Sequence, residues 1–460
     1  MMSRTGWLAG IFTALLSGAV AAQTITIEAG KLPADFDPQK VDIRPLVESV
    51  PRQGLPNFYG KLAAGGELSI AYFGGSITAQ AGYRVHSRDY FQKEYPNCRI
   101  KEIHAAIGGT GSNLGALRLE HDVLRFKPDL VFVEFAVNDS GAHPYSIRKS
   151  MEGIVRHIWR ELPATDILFV YTLTAAHVKE MQEGKMQRSA SVMEDIADYY
   201  GIPSIHMGVE IVKLEAAGKL VMKASDKELT RVSGDELNLS ADNFVNAEGK
   251  IPFAGDGVHP YANTGHQLYM DAIRRSLPAI KAAGTAGARR SLPAPMLKEC
   301  WENVITVPMD HPLVKLSGPW EKNPDDHGVT KGFLGRMNPF FTFSPGAEIR
   351  FKFKGTTAAL YNLLGPHGCI FEKIVAGGNS SEVRTFDPYC TYHRLALSVL
   401  ADQMNPENVH EVVLKVLDKD CDKRTILFDH NKGDFDKNPT KYDPKLLYAA
   451  CIFIIGEICE

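Results

Sequence analysis

Little in this 460-residue chain points toward nucleic acid, membrane or a redox cofactor. Lys and Arg total 51 against 54 Asp and Glu, a formal net charge of −3, and no basic run stands out. A general electrostatic pull toward nucleic acid or an anionic membrane is therefore absent. Beyond Ala22 no apolar stretch approaches the ~20 residues a membrane helix needs. The seven cysteines are Cys98, Cys300, Cys369, Cys390, Cys421, Cys451 and Cys459, with no CxxC among them. In an oxidising compartment some can pair, and the odd number leaves at least one unpaired within the chain. His367/Cys369 and Cys390/His393 are two close pairs, too sparse a donor set to specify a metal. There is no HExxH, and Leu114 stands where a GxGxxG dinucleotide loop starting at Gly109 needs glycine. No cofactor and no metal is implied. Internal repeats and low-complexity tracts are also missing.

What is present is a leader, two textures and four short motifs. Arg4 precedes an apolar, small-residue stretch from Trp7 to Val20, and Val20-Ala21-Ala22 supplies small residues at the −3 and −1 positions of a cleavage site. Residues 1–22 read as a signal peptide, which places the protein in the periplasm, at the cell surface or outside the cell, with no integral membrane segment after its removal. Residues 23–66 form a lead-in of weak periodicity. From residue 67 to 281 short apolar runs alternate with segments of helical spacing. The runs are Leu68 to Phe73, Ile100 to Ile107, Leu130 to Val137, Ile167 to Tyr171 and Ile202 to His206. Such alternation predicts an α/β domain, a five-stranded parallel sheet covered on both faces in a flavodoxin-like α/β/α sandwich. Residues 218–250 read as a polar excursion, and a helix over 264–281 closes the unit. Residues 282–295, rich in Ala, Gly, Arg and Pro, read as a linker. From 296 to 460 period-two alternation, as in Glu348-Ile-Arg-Phe-Lys-Phe, predicts a jelly-roll-like β-sandwich.

Ligands of an open parallel sheet bind beyond the carboxyl ends of its strands. Gly74-Gly75-Ser76 follows the first strand, Gly108-Gly109-Thr110-Gly111-Ser112 the second and Asn138-Asp139 the third. Asp256-Gly257-Val258-His259 precedes the last helix and can fold over the same edge. A serine hydroxyl becomes a nucleophile when a histidine takes its proton, and a carboxylate orients that histidine. Ser76, His259 and Asp256 supply the three types. The backbone amides of Ser76 and Gly109, with the Asn138 side-chain amide, can hold the oxyanion that forms when an ester carbonyl is attacked.

The four segments resemble the four sequence blocks of the SGNH (GDSL-type) hydrolase family over residues 67 to 281. Ser76 matches the nucleophile, Gly109 and Asn138 the oxyanion residues, and Asp256 and His259 the Asp-x-x-His of the last block. Gly75 stands where many members have Asp, and Ala136 replaces the usual glycine two residues before Asn138. Phe-Gly-Gly-Ser-Ile-Thr and Glu-Phe-Ala-Val-Asn-Asp look like the variants of exported bacterial esterases acting on acylated polysaccharides. The resemblance implies a serine esterase with an acylated, O-acetyl carbohydrate substrate and no nucleic-acid partner. Two rivals are a lipase or thioesterase on longer acyl chains, and a glycan-binding protein with a dead hydrolase domain.

Other features read as structure. Asp139 is expected to bond nearby backbone, and Glu134, inside an apolar strand, needs a buried partner. His143, Tyr261 and His266 read as surface or packing, and His157 with Glu161 as a solvated helix face. In the second domain Trp320, Phe340 and Tyr392 are aromatics that, if exposed, can stack on sugar rings; a packing module that only stabilises the enzyme domain is the equal alternative.

Overall fold

The computed structural model describes residues 30–225, 229, 244–284, 292–375 and 378–460. The signal segment, about half of the polar excursion and half of the linker lie outside the described residues. In chain order the α/β part contains β1 (Ser49–Val50), β2 (Gly66–Gly74), β3 (Cys98–His104), β4 (Leu130–Glu134), β5 (Asp166–Tyr171) and β6 (Ser204–His206). They form one sheet in the order β1-β6-β5-β4-β2-β3. β2 to β6 run parallel, and β1 adds an antiparallel edge beside β6.

Alternation along the strands builds the two faces. Leu68, Ile70, Tyr72, Leu130, Phe132, Leu168 and Val170 face a layer made by α1 (Pro56–Ala64), α3 (Tyr83–Glu94), α8 (Val209–Ala216) and α9 (Gly265–Ala283), beyond the short α2 (Ser76–Ala79). Ala71, Phe73, Val131, Val133, Ile167, Phe169 and Tyr171 face α4 (Ser112–Asp122), α5 (Pro144–Glu161) and α7 (Arg188–Tyr200), with α6 (Val178–Gln182) in the connection. The central strands β4 and β5 are buried at every position because both faces are covered.

The lead-in is more ordered than its periodicity suggests. Besides β1 and α1, it holds Arg44 and Arg52, which pair with Asp195, Asp198 and Glu194 of α7. The polar excursion opens on a strand, β7 (Leu220–Lys223), which pairs in parallel with β8 (Ile251–Ala254).

The C-terminal part is antiparallel throughout. Its strands are β9 (Val304–Pro308), β10 (Lys315–Ser317), β11 (Trp320–Lys322), β12 (Phe341–Phe343), β13 (Glu348–Leu364), β14 (Ile370–Val375), β15 (Asn379–Arg384), β16 (Arg394–Ala401), β17 (Val409–Leu417) and β18 (Leu447–Cys459). The long β13 pairs first with β17 and then with β16, while β18 runs along its other side. Its period-two burial turns into continuous burial after Thr357. There Ala358 and Leu360 enter the sandwich core, while Ala359, Tyr361 and Leu363 join the apolar cluster that contains α4 and α5. β18 does the same with Tyr448, Phe453 and Ile455. The two domains thus share one core.

That shared core corrects several expectations. α5 is buried nearly all round, and His157 is 4% exposed, not on a solvated face. Phe340 is 1% exposed and belongs to the shared core, whereas Trp320 and Tyr392 are exposed. All seven cysteines are free thiols, five of them buried. Among the described residues no helix is long and apolar enough to cross a membrane.

Candidate active site

The four motifs meet at the carboxyl edge of the sheet. β2 ends at Gly74, and the chain turns through Gly75 into α2, whose first residue is Ser76. Ser76 does not cap that helix with its side chain. Its Oγ instead lies 2.8 Å from His259 Nε2. His259 Nδ1 lies 2.8 Å from Asp256 Oδ2, and the other carboxylate oxygen accepts from the backbone amides of Val258 (2.9 Å) and His259 (2.8 Å). Three residues of separation suffice because the loop folds back on its own carboxylate.

Partial burial works to raise the Asp256 pKa. The bonds from the His259 ring and from the two amides, with the His259 charge, outweigh it and hold the carboxyl well below its ordinary value. Asp256 therefore stays ionised and accepts the Nδ1 proton, leaving Nε2 to face Ser76.

The loop carrying the pair is braced from both sides. Ala175 N donates to Gly257 O (2.8 Å), and Gln80 at the end of α2 donates to Pro260 O (3.3 Å). His266 is fully buried; it contacts Gln80 Oε1 through Nε2 and accepts from the Tyr83 amide through Nδ1. Tyr261 donates to Ala224 O, and His143 accepts from the Tyr145 amide at the start of α5. These three residues are structural, as their sequence context suggests.

Gly109 and Asn138 stand on the same side. Gly109 has φ +73°, a left-handed conformation that favours glycine, with open space beside its Cα. Gly108 adjoins the Ser76 side chain: a Cβ there would stand 3.6 Å from Ser76 Cβ. The Asn138 side-chain amide lies directly over Gly75, where any Cβ would overlap Asn138 Oδ1. This explains glycine at position 75. Ser76 and His259 are half-buried, while Gly108, Gly109, Asn138 and Asp256 are exposed, so the site is open and shallow.

Two buried carboxylates support these loops. Asp139 accepts from the Ser112 amide (3.0 Å) and fixes the start of α4; burial pushes its pKa up to about 6. Glu134, at the end of β4, accepts from Thr172 Oγ1 (2.8 Å), Thr78 Oγ1 (2.9 Å) and the Gly75 amide. Burial pushes it up to about 7, against the lowering effect of those bonds. Its partners tie the Gly75-Ser76 turn to β4 and β5. The sequence signal for Glu134 was a charge in an otherwise apolar strand; Gln80 had none.

Residues 72–268 match the GDSL-like Lipase/Acylhydrolase family. No curated protein matches the chain. Among solved structures, a two-domain esterase active on acetylated mannans, crystallised with mannopentaose, is 20% identical with a TM-score of 0.65, over 89% of this chain and 97% of that one. A second structure described as a two-domain esterase active on acetylated mannans gives 20% and 0.66, over 89% and 98%. An acetylxylan esterase from Geobacillus stearothermophilus is 19% identical over 47% of this chain and 95% of its own, with a TM-score of 0.33. The first two show that the two-domain fold is shared. Over residues 72–268 the α/β domain is similar to the GDSL-like lipase/acylhydrolases, and that match supports an ester-hydrolysing serine hydrolase.

Proposed function

We propose that this protein is an exported esterase that removes O-acetyl groups from carbohydrate through an acyl-Ser76 intermediate. The observation that carries the reading is the unbroken hydrogen-bond chain Ser76–His259–Asp256 beside Gly109 and Asn138. His259 Nε2 takes the Ser76 proton as Oγ attacks the ester carbonyl. The Ser76 and Gly109 amides and the Asn138 side chain receive the oxyanion; each such donor is worth about 2.7–4 kcal/mol of barrier. His259 then gives its proton to the leaving sugar hydroxyl as the C–O bond breaks. In the second half it activates water, which releases acetate and restores Ser76.

Two observations support a short acyl group on a bulky alcohol. The site is open, with glycine backbone and polar groups around Ser76. The proteins of like two-domain fold are described as active on acetylated mannans. Export is supported by the N-terminal segment, with Arg4, its apolar stretch and Val20-Ala21-Ala22. Purified protein is expected to turn over p-nitrophenyl acetate faster than the octanoate, and to release acetate from at least one member of a panel of acetylated glycans. Preference for octanoate, with no acetate released from any glycan, contradicts the reading.

A further inference from the structure

The segment that leads into Gly108-Gly109 continues the edge strand β3, and its backbone groups alternate between two sides. On the inner side, the amides of Ala105 and Ile107 donate to Tyr72 O and Gly74 O, both at 3.1 Å. The buried Arg118 donates to Ala105 O through Nη1 and to Gly74 O (3.2 Å) through Nη2. Carbonyls on the outer side have no neighbouring strand. There Arg336, from the C-terminal domain, donates Nη1 to His104 O (3.1 Å) and Nη2 to Ala106 O (3.0 Å). Asp122 joins the two guanidiniums, 2.6 Å from Arg118 and 3.9 Å from Arg336.

Arg336 is itself held firmly. Its amide and that of Met337 donate to Phe333 O, and Met337 and Phe340 are buried in the core shared by the domains. Its side chain is 26% exposed. The far end of the glycine loop is fixed independently, by Asp139 on the Ser112 amide. Arg118 and Arg336 therefore fix the entry to the loop whose middle residue is Gly109.

We propose that Arg336 is a positioning residue for the oxyanion loop, so that the C-terminal domain sets where the Gly109 amide stands and the esterase site needs both domains. This rests on the esterase reading above. The planar fork of arginine reaches carbonyls two residues apart; lysine can reach one at a time. An amide that holds the oxyanion acts in the transition state more than in the bound ester, so its displacement lowers kcat and leaves KM.

The test uses the full chain with Arg336→Met and Arg336→Lys, with active sites counted by stoichiometric labelling of Ser76 with a fluorophosphonate. Per labelled site, kcat on p-nitrophenyl acetate is expected to fall about 10-fold or more in Arg336→Met, within the range known for remote misplacement of catalytic groups. KM stays unchanged. The inhibition constant of a boronic acid that forms a tetrahedral adduct on Ser76 rises by the same factor. Arg336→Lys is expected to fall between Arg336→Met and wild type; if Arg336→Met does not fold, it carries the test alone. Wild-type kcat and boronate affinity in a folded variant overturn the proposal, as does loss of fold in both variants, which makes Arg336 a structural anchor only. Absence of turnover in the wild-type protein, or full turnover in Ser76→Ala, instead overturns the esterase reading itself.

Discussion

Glu134 shows how much one buried carboxylate has to do beneath an open site. It receives two hydroxyls and the Gly75 amide, yet burial leaves its pKa at about 7 against an ordinary 4.5. The folded state therefore keeps a proton that the unfolded chain has released between those two values. That contribution to stability is complete below the unfolded value and is lost as pH rises through about 7. The cost of ionising Glu134 in place is on the order of 3 kcal/mol. The urea midpoint of the wild-type protein is expected to fall between pH 5 and 8, and Glu134→Gln to flatten that fall. Asp139, raised to about 6, adds to the slope in both proteins. Equal slopes in the two proteins would refute the assignment of the effect to Glu134.

At the scale of elements, the site is a set of turns held at fixed separations by the strands before them. Gly75 is the tightest point. Its φ of −91° suits any residue, so the constraint is space: Asn138 occupies the position of a side chain. Gly75→Ala is expected to displace the Asn138 amide and lower kcat about 100-fold, the low end of the loss of one oxyanion donor, with little change in melting temperature. An alanine variant of wild-type activity contradicts that placement. The elements bearing the motifs were readable in sequence because their signals are local. The runs Leu68 to Phe73, Ile100 to Ile107 and Leu130 to Val137 are each closed by glycine or Asn-Asp, and α9 has the helical period. β1 was not readable, since two residues carry no period and its pairing with β6 depends on a chain segment about 150 residues away. Nor was α1, a short helix whose Gly60 interrupts the pattern. Gln80 and Arg336 escape for the same reason: each acts on a segment far away in sequence.

For the whole molecule the main consequence is the shared core. The second halves of β13 and most of β18 are buried on both faces, one against the sandwich and one against α4 and α5. Period-two alternation foretells a sheet with one wet face, so the sequence pattern of Glu348 to Phe353 described the sandwich and not its union with the α/β domain. Phe340 reads as a sugar-stacking candidate by the same local logic and is core. Two domains joined by an apolar face of this kind are expected to melt together. Calorimetry should show one transition, and Phe453→Ala, which hollows the shared core, should cost about 3–5 kcal/mol and lower the melting of both domains equally. Two separate transitions, with only one moved by Phe453→Ala, would contradict the shared core.

The central claim is that Ser76 attacks an acetyl ester, and the most direct measurement is acetate released from acetylated glycan by the wild-type protein and by Ser76→Ala. His259 and Asp256 stand beside Ser76 in one hydrogen-bonded chain, and the acyl group they help to transfer is carried on its oxygen. The account predicts steady acetate release by the wild type and release near the uncatalysed background by a folded Ser76→Ala. Equal release by the two proteins would contradict it.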